Sequence, residues 1–367
     1  MARLGDYVKI KTGKLDANAS SENGQYPFFT CSVEPLRIDT YSYDCECVLV
    51  AGNGDLNVKY YNGKFDAYQR TYIIESKDKN ALTVPYLYCF LDGYVEELRK
   101  QSIGGVIKYI KLGNLTEARI PICSIKKQNE IVENFDKVNT LISLRKQQLS
   151  KLDELVKSRF IEMFGDPVSN PFRWSTLTMK QASIRLSDGP FGSNLKSEHY
   201  TDEGVRVIRL GNIGCGYFND EDRSYISPEH YATIKKYTCR AGEIVIATLG
   251  DPNLRACIVP DHIEYGVNKS DCVHYIPKAE ILNNQFVCQY INCPETLSLA
   301  SGMVHGQTRS RISSGQLADL PIYLPPMDLQ QQFAAFVEQT DKSKLEIQKS
   351  LEKFETLKKA LMQKYFG

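Results

Sequence analysis

Apolar residues recur at alternating intervals of four and three along one stretch of this chain. We call this set the first seam; its apolar members are Ile131, Phe135, Val138, Ile142, Leu149, Leu152 and Val156. Arg145 is the polar residue that interrupts it. This spacing is the a/d pattern of a coiled coil. Because residues 128–163 contain no Pro or Gly, the pattern predicts a single long helix that ends near Gly165.

A second seam follows near the end of the sequence. Its apolar members are Phe333, Val337, Ile347, Leu351, Phe354 and Leu361, and its polar members are Thr340, Lys344 and Lys358. Residues 330–365 also lack Pro and Gly, and Pro325, Pro326 and Asp328 are a start signal for a helix. Two seams of four to five heptads predict that the two helices pair with each other.

A constant offset of 202 residues relates the two stretches. It pairs Gln128 with Gln330, Leu149 with Leu351, Leu155 with Leu357, and Phe164-Gly165 with Phe366-Gly367. A weaker repeat upstream pairs residues 48–55 with 244–251, and Ile110, Gly113 and Leu115 with Ile312, Gly315 and Leu317. The common order of these matches predicts a duplicated architecture of domain, helix, domain, helix.

The duplication sets the predicted domain boundaries. They are a first globular domain at 1–123, a first helix at 124–165, a second globular domain at 166–326 and a second helix at 327–367. Strand-like runs at 48–51, 71–75, 205–210 and 243–248 predict mixed α/β domains, and therefore an α+β fold class.

Connectivity predicts the direction of the helix pair. The second domain is entered from the end of one helix and left into the start of the other, and the ends of a compact domain often lie close together. We therefore expect an antiparallel pair with a pseudo-twofold axis. Helices of about 36 residues would span roughly 54 Å and hold the globular domains apart.

Composition narrows the class of protein. A chain of 367 residues with 42% apolar and 24% charged residues is typical of a soluble globular protein with two cores. We expect a cytoplasmic location, because no leader sequence opens the chain, no apolar run approaches ~18 residues, and the eleven cysteines lack CxxC spacing. The net charge of +1 neither supports nor excludes a nucleic-acid partner.

The motifs of common enzymes do not occur in the sequence. There is no Walker A motif and no Asp/Asn-Pro-Pro-aromatic motif of amino-methyltransferases. The histidines show no HxxxH spacing; they are His199, His230, His262, His274 and His305. We therefore expect no catalytic residues, no metal site and no cofactor bound by this chain.

Basic and amide residues lie among glycines and aromatic residues in both domains. Arg and Lys can contact guanine or phosphates, and Asn and Gln can contact adenine. The candidate DNA-binding residues are Asn53, Lys59, Gln69, Arg70, Lys108, Lys111, Lys196, Arg209, Asn212, Lys269, Gln307, Arg309 and Arg311. A solvated surface role remains open for each of them.

The chain resembles the specificity subunits of type I DNA restriction–modification systems. The resemblance covers the whole chain. It depends on the Ile-Pro-Ile and Leu-Pro-Ile elements at 120–122 and 320–322, the Gln at each helix start, the Phe-Gly-Asp-Pro join at 164–167 and the Asp-Gly-Pro-Phe-Gly-Ser motif at 188–193. The chain departs from the usual family pattern in two places. Residues 123–127 stand before the first helix instead of the usual segment that ends in proline. Asn139 occupies the position at which the second copy has Asp341, the residue that fits the family pattern.

The resemblance implies a non-catalytic role in a larger complex. Each recognition domain of such a subunit contacts one half of a split double-stranded DNA target, and the paired helices set the gap between the halves. Two methylation subunits pack on the helices, and restriction/translocase subunits join them. S-adenosylmethionine, ATP and Mg belong to those partners, and no membrane is involved. Because the two domains differ in sequence, we expect an asymmetric bipartite target.

Two other functions are compatible with parts of the pattern. A structural scaffold that joins two protein-binding modules through a helical rod predicts no specific DNA binding. A single-chain methyltransferase or nuclease predicts activity from this chain alone, which the missing motifs disfavour.

Overall fold

The structure is a computed structural model that describes residues 1–301 and 311–367. The chain forms two compact units. The first unit comprises residues 1–147 and 347–367, and the second comprises residues 148–346. Each of two long helices therefore contributes residues to both units.

The first unit is built on a six-stranded sheet. Its elements are β1 (Ala2–Arg3), α1 (Leu4–Tyr7), β2 (Val8–Thr12), β3 (Tyr26–Phe29), β4 (Leu36–Ile38), β5 (Tyr43–Ala51), β6 (Val58–Ala67), β7 (Thr71–Ser76), α2 (Val84–Gln101), α3 (Leu112–Thr116), β8 (Arg119–Ile120) and the start of α4 (Ile125–Phe164). The strand order is β2-β7-β5-β6-β3-β4, with β3 and β6 parallel and the other neighbours antiparallel. β1 pairs with β8 in a separate two-stranded sheet.

Alternating apolar residues of this sheet pack on α2 and α4. Val48 and Val50 of β5 belong to one buried cluster with Leu87 of α2 and with Ile131 and Phe135 of α4. Side chains two apart on a strand point to the same face, which explains why this face of β5 is apolar. Ile131 and Phe135 of the first seam are therefore part of the core of the first unit, whereas Val156 of the same seam belongs to the core of the second.

The second unit contains two larger sheets. Its elements are the end of α4, β9 (Ser175–Thr178), β10 (Ser183–Ser187), β11 (Tyr200–Thr201), β12 (Val205–Ile208), β13 (Ser224–Ile226), α5 (Pro228–Thr233), β14 (Thr238–Arg240), β15 (Ile244–Ala247), β16 (Arg255–Ile258), β17 (Tyr265–Asn268), β18 (Cys272–Pro277), α6 (Asn284–Asn292), α7 (Pro294–Ser301), α8 (Ser314–Asp319), β19 (Pro321–Leu324) and the start of α9 (Met327–Phe366). The sheet orders are β10-β18-β15-β16, β11-β13-β12-β17-β14 and β19-β9. Only the β12–β17 pair is parallel among these described strands.

The long helices pair in antiparallel fashion within each unit. In the first unit, Phe135 of α4 stacks on Phe366 of α9 at 6.0 Å, whereas Arg145 Nε donates to Ser350 Oγ at 3.1 Å. In the second unit, Asp153 of α4 pairs with Lys344 of α9 at 2.8 Å. Further along α4 in that unit, Phe160 contacts Phe333 at 5.4 Å. Partner numbers fall along α9 as they rise along α4. The predicted α+β fold with two long antiparallel helices is confirmed.

All apolar members of both seams are buried or half-buried. The polar members have partners of their own. Thr340 Oγ1 donates to the Phe336 carbonyl within α9, and Lys358 pairs with Asp92 of α2 at 2.9 Å. The polar residues therefore interrupt the apolar pattern where hydrogen bonds or ion pairs are available.

Equivalent buried glutamines fix the start of each long helix to its unit. Gln128 accepts a hydrogen bond from the Thr83 N–H at 2.9 Å and donates to the Ala81 and Cys123 carbonyls. Gln330 accepts from the Asn283 N–H at 2.8 Å and donates to the Ile281 and Pro325 carbonyls. Each glutamine thus connects the chain before the long helix with the turn before α2 or α6.

The eleven cysteines are all free thiols, and seven of them are buried. Burial raises the pKa of Cys257 and of Cys293 to about 12. These thiols stay protonated at neutral pH and pack as small apolar side chains.

A buried histidine predicts a pH-dependent stability of the second unit. His274 on β18 is 1% exposed and its Nε2 lies 2.8 Å from Glu243 Oε2. Burial lowers the pKa of His274 below 6.5, and this effect exceeds the opposing influence of Glu243; Arg185 also lowers it. The contribution of neutral His274 to the stability of the second unit is therefore complete above pH 6.5. It is lost as the pH falls through the lower pKa that His274 has in the folded state.

We expect His274→Gln to flatten the pH dependence of unfolding below pH 6.5 relative to the wild type. Urea unfolding at a series of pH values, followed by the fluorescence of the single tryptophan, Trp174, measures this. His262 is exposed, so His262→Gln is the matched control. Identical pH profiles for His274→Gln and the wild type would contradict the prediction.

Candidate nucleic-acid interface

The same backbone junction occurs in both units at the end of a buried strand. After β5, the Ile110 N–H donates to the Gly52 carbonyl at 2.9 Å, and Asn53 pairs with Tyr109. After β15, the Ile312 N–H donates to the Thr248 carbonyl at 3.0 Å, and Leu249 pairs with Arg311. We call these the first and second strand–turn junctions. They coincide with the weaker repeat in the sequence.

The first junction brings together four of the predicted residues. The Gly52 N–H donates to the Arg70 carbonyl at 2.8 Å, and the Gly54 N–H donates to the Lys108 carbonyl at 2.9 Å. A Cβ at Gly52 would lie 2.3 Å from the Arg70 carbonyl oxygen, so only glycine permits this approach. Lys111 follows at the N-cap of α3. Asn53, Arg70, Lys108 and Lys111 therefore lie on one connected set of loops.

Lys59 and Gln69 have internal partners. Lys59 is half-buried on β6 and donates to Asn57 Oδ1, and burial lowers the pKa of Lys59. Gln69 Nε2 donates to Asp16 Oδ1 at 2.8 Å. Both side chains would have to exchange these partners to contact a ligand.

Aromatic rings position the basic residues of the second unit. Tyr200 has Lys269 Nζ 5.3 Å and the Arg209 guanidinium carbon 5.8 Å from its ring centre. Arg311 lies 5.7 Å from the Phe191 ring, and its Nε pairs with Asp271 Oδ1 at 2.7 Å. Cations over aromatic faces are held in place by the rings. Arg209 also pairs with Asp222 at 3.1 Å, so both arginines of this set have a carboxylate partner within the chain.

Two acidic residues link this cluster. Asp188 Oδ1 accepts a hydrogen bond from the Asp271 N–H at 2.9 Å, and Asp271 in turn pairs with Arg311. Burial raises the pKa of Asp188 from its ordinary value. The Asp-Gly-Pro-Phe-Gly-Ser motif therefore supplies both the half-buried Asp188 and the exposed Phe191.

The remaining predicted residues have different surroundings. Asn212 is fully buried: its Nδ2 donates to the Asn219 and Asp222 carbonyls, and its Oδ1 accepts from the Arg209 N–H. The structure thus makes Asn212 a support for the loop and not an exposed contact residue. Lys196 is exposed and lies 3.4 Å from Glu198. Gln307 and Arg309 lie outside the described residues.

Sequence reasoning missed Phe191, Tyr200, Asp222 and Asp271. Tyr200 and Lys269 are 69 positions apart, so no local pattern connects them. The one local signal that could have pointed to these residues was an aromatic residue within a glycine-rich, basic segment.

Among the described residues, no group of three or more His, Cys, Asp or Glu side chains could hold a metal ion. No described helix has the length and apolar character needed to cross a membrane.

Residues 1–154 and 195–356 match the family described as type I restriction modification DNA specificity domain. Over 154 residues the chain is 38% identical to the type I restriction enzyme EcoDI specificity subunit of Escherichia coli, a match that covers 42% of this chain and 34% of that relative. It is 22% identical to the type I restriction enzyme MjaVIII specificity subunit of Methanocaldococcus jannaschii, over 99% of this chain and 90% of that relative. The chain therefore spans about a third of the first relative and nine-tenths of the second.

Solved structures show the same fold. The S subunit of a type I restriction–modification system from M. genitalium is 16% identical, with a TM-score of 0.58 over 100% of this chain and 95% of the other. A structure concerned with complex assembly and conformational transition of the type I R–M system is 15% identical, with a TM-score of 0.56 over 100% and 96% of the two chains. At these identities the similarity concerns the fold.

Proposed function

Because this chain belongs to the family of type I restriction–modification DNA specificity subunits, we propose that each unit recognises one half of a bipartite double-stranded DNA target. The observation that carries the proposal is the duplicated strand–turn junction. In both units this junction collects basic or amide side chains on loops at the end of a buried strand. Loops on a rigid scaffold are common positions for binding residues.

The residues at the two junctions differ, which favours two half-sites of different DNA sequence. Asn53 and Tyr109 of the first junction correspond to Leu249 and Arg311 of the second. The amide of Asn53, the phenol of Tyr109 and the guanidinium of Arg311 offer different hydrogen-bonding groups to base edges. Leu249 offers only an apolar contact. The target is therefore asymmetric in this proposal.

The helix pair sets the number of base pairs between the half-sites in this proposal. α4 and α9 each have 40 residues, which corresponds to about 60 Å at 1.5 Å per residue. The prediction of about 36 residues was slightly short, since each helix starts three residues before its buried glutamine. Antiparallel pairing and the Lys344–Asp153 ion pair between α4 and α9 support a stiff connection.

Exposed leucines on the long helices are candidate binding positions for methylation subunits. In the first unit they are Leu141, Leu144 and Leu357, and in the second they are Leu155 and Leu345. Leu155 and Leu357 are equivalent under the 202-residue offset, so the repeat provides similar apolar positions twice. A duplicated surface suits two copies of one partner, and apolar patches often mark protein interfaces.

In the same proposal the chain itself is non-catalytic. Methylation subunits bring S-adenosylmethionine, and restriction/translocase subunits bring the ATP and Mg chemistry. The DNA-contacting residues of this chain are then Asn53, Arg70, Lys108 and Lys111 in the first unit, and Lys196, Arg209, Lys269 and Arg311 in the second.

Methylation mapping tests the proposal. The chain is expressed together with the methylation subunit of the same system in a methylation-free host, and modified adenines are located by long-read sequencing. We expect one asymmetric motif with two specified halves and a fixed unspecified spacer. Expression of the methylation subunit alone is the control. Activity of the methylation subunit at the same motif without this chain would contradict the proposal.

We expect Lys269→Ala to weaken binding of the mapped target by about fivefold to tenfold, and to reduce the slope of log K against log salt by about 0.9. The reason is the loss of one phosphate contact from a cation that Tyr200 positions. Fluorescence anisotropy at several salt concentrations measures both quantities. Lys180 is exposed elsewhere in the same unit, and Lys180→Ala is the matched control. An unchanged slope for Lys269→Ala would exclude the phosphate contact.

A further inference from the structure

One loop of the first unit exposes aliphatic side chains to an unusual degree. Val106 is 103% exposed and Ile107 is 62% exposed. We call these two residues the aliphatic tip. Ile103, Tyr109 and Leu112 beside them are also exposed. Because transfer of apolar surface out of water is favourable, a concentration of such side chains at one loop indicates a contact surface.

The base of this loop is closed and attached to the first strand–turn junction. Ile103 and Tyr109 exchange two backbone hydrogen bonds of 3.0 and 2.8 Å. Gly104 has φ +120°, and a Cβ there would lie 2.5 Å from the Ile107 carbonyl oxygen, so the turn requires glycine. The backbone between these bonds is only five residues long. The aliphatic tip is thus presented in a defined position next to Asn53.

The charge of the loop itself and of the helix cap that follows it favours a polyanion. Residues 101–116 contain no Asp or Glu, and they contain Lys108 and Lys111, both exposed. An apolar protein partner would not require cations on both the loop and the following helix cap. A nucleic acid offers phosphates to the lysines and apolar base faces to the aliphatic side chains.

We propose that the aliphatic tip inserts between adjacent base pairs of the half-site that the first unit recognises; this inference rests on the proposed function. Lys108 and Lys111 bind the flanking phosphates, and Val106 and Ile107 enter the opened base step. Aliphatic side chains inserted in this way unstack one step and bend the duplex. Insertion favours pyrimidine–purine steps, which unstack most easily, so the tip adds sequence preference without hydrogen bonds to bases.

The test uses the full chain in complex with its methylation subunits. The probe is a duplex that carries the mapped target, with 2-aminopurine placed in turn at positions of both half-sites. With the wild type, we expect fluorescence to rise at one step of one half-site only. With V106S/I107S, that rise disappears and affinity falls by about 10–100-fold, while the salt slope is unchanged. V106L/I107L, which keeps the apolar surface, retains both the signal and the affinity.

Val33 is an exposed aliphatic residue of the same unit, and Val33→Ser is the matched control, with no expected change. Wild-type affinity and fluorescence in V106S/I107S would overturn insertion and leave the proposed function intact. Loss of affinity without any fluorescence rise in the wild type would also overturn it. If V106S/I107S releases the methylation subunits, the aliphatic tip contacts a protein, and insertion into DNA is likewise overturned. A wild-type complex that binds no target specifically would overturn the proposed function itself.

Discussion

Removal of one heptad from each long helix is expected to shorten the spacer of the DNA target by about three base pairs. Seven residues shorten a helix by about 10 Å, and duplex DNA rises about 3.4 Å per base pair. The segments 145–151 and 347–353 are suited to this deletion, because they are equivalent under the 202-residue offset. The Arg145–Ser350 hydrogen bond joins them, so both partners leave together. Methylation mapping of the double deletion gives the new spacer directly.

The repeat also supplies a control of equal length. Replacement of residues 145–151 by the sequence of 347–353 changes five of the seven side chains and leaves the helix length the same. This variant is expected to keep the wild-type spacer and both half-sites. If the double deletion also keeps the wild-type spacer, the helices do not determine the separation. A change in the half-sites themselves would contradict the assignment of recognition to the loops.

Substitution of Gln330 by Leu is expected to destabilise the second unit by about 3 kcal/mol or more. Gln330 is fully buried and makes three hydrogen bonds, to the Asn283 N–H and to the Ile281 and Pro325 carbonyls. Leucine leaves these backbone groups buried without partners, and each such group costs about 1–3 kcal/mol. Urea unfolding measures the loss as a lower midpoint at unchanged slope.

The single tryptophan makes this measurement specific to one unit. Trp174 lies in the second unit, and its Nε1 donates to the Phe164 carbonyl at 3.1 Å, so its fluorescence reports on the region where α4 ends. Gln331 is the exposed neighbour of Gln330 on α9, and Gln331→Leu is the matched control. Equal midpoints for the two variants would show that the hydrogen bonds of Gln330 contribute little to stability.

Local periodicity was sufficient to locate the helices and the main strands. The seams predicted α4 and α9 because the burial of a helix face repeats every three to four residues, whatever the helix packs against. The run at 48–51 lies in β5 and the run at 243–248 contains β15, since buried strands are continuous apolar segments. The weaker repeat picked out the segments of both units that form the strand–turn junctions, although it did not predict that these segments contact each other.

The surroundings of individual polar residues could not be predicted in this way. Asn212 stands in a glycine-rich turn that suggested an exposed amide, yet tertiary folding encloses it and satisfies its hydrogen bonds internally. The contacts of Tyr200 with Arg209 and Lys269 depend on loops that meet only in the folded chain. Helices and strands follow local pattern, whereas these contacts follow from the conformations of several loops together.

Residues 347–367 complete the first unit, although the ribosome adds them only after the whole of the second unit has been made. Phe366 fills a space among Phe135, Phe90 and Tyr86, with ring centres 6.0, 5.7 and 5.3 Å away. During synthesis these three rings lack Phe366 as a covering neighbour. Residues 148–346 are one continuous segment, so the second unit already has every part of its own core at that stage. The first unit begins before the second in the chain and is completed after it, and its core stays open until residues 347–367 have left the ribosome.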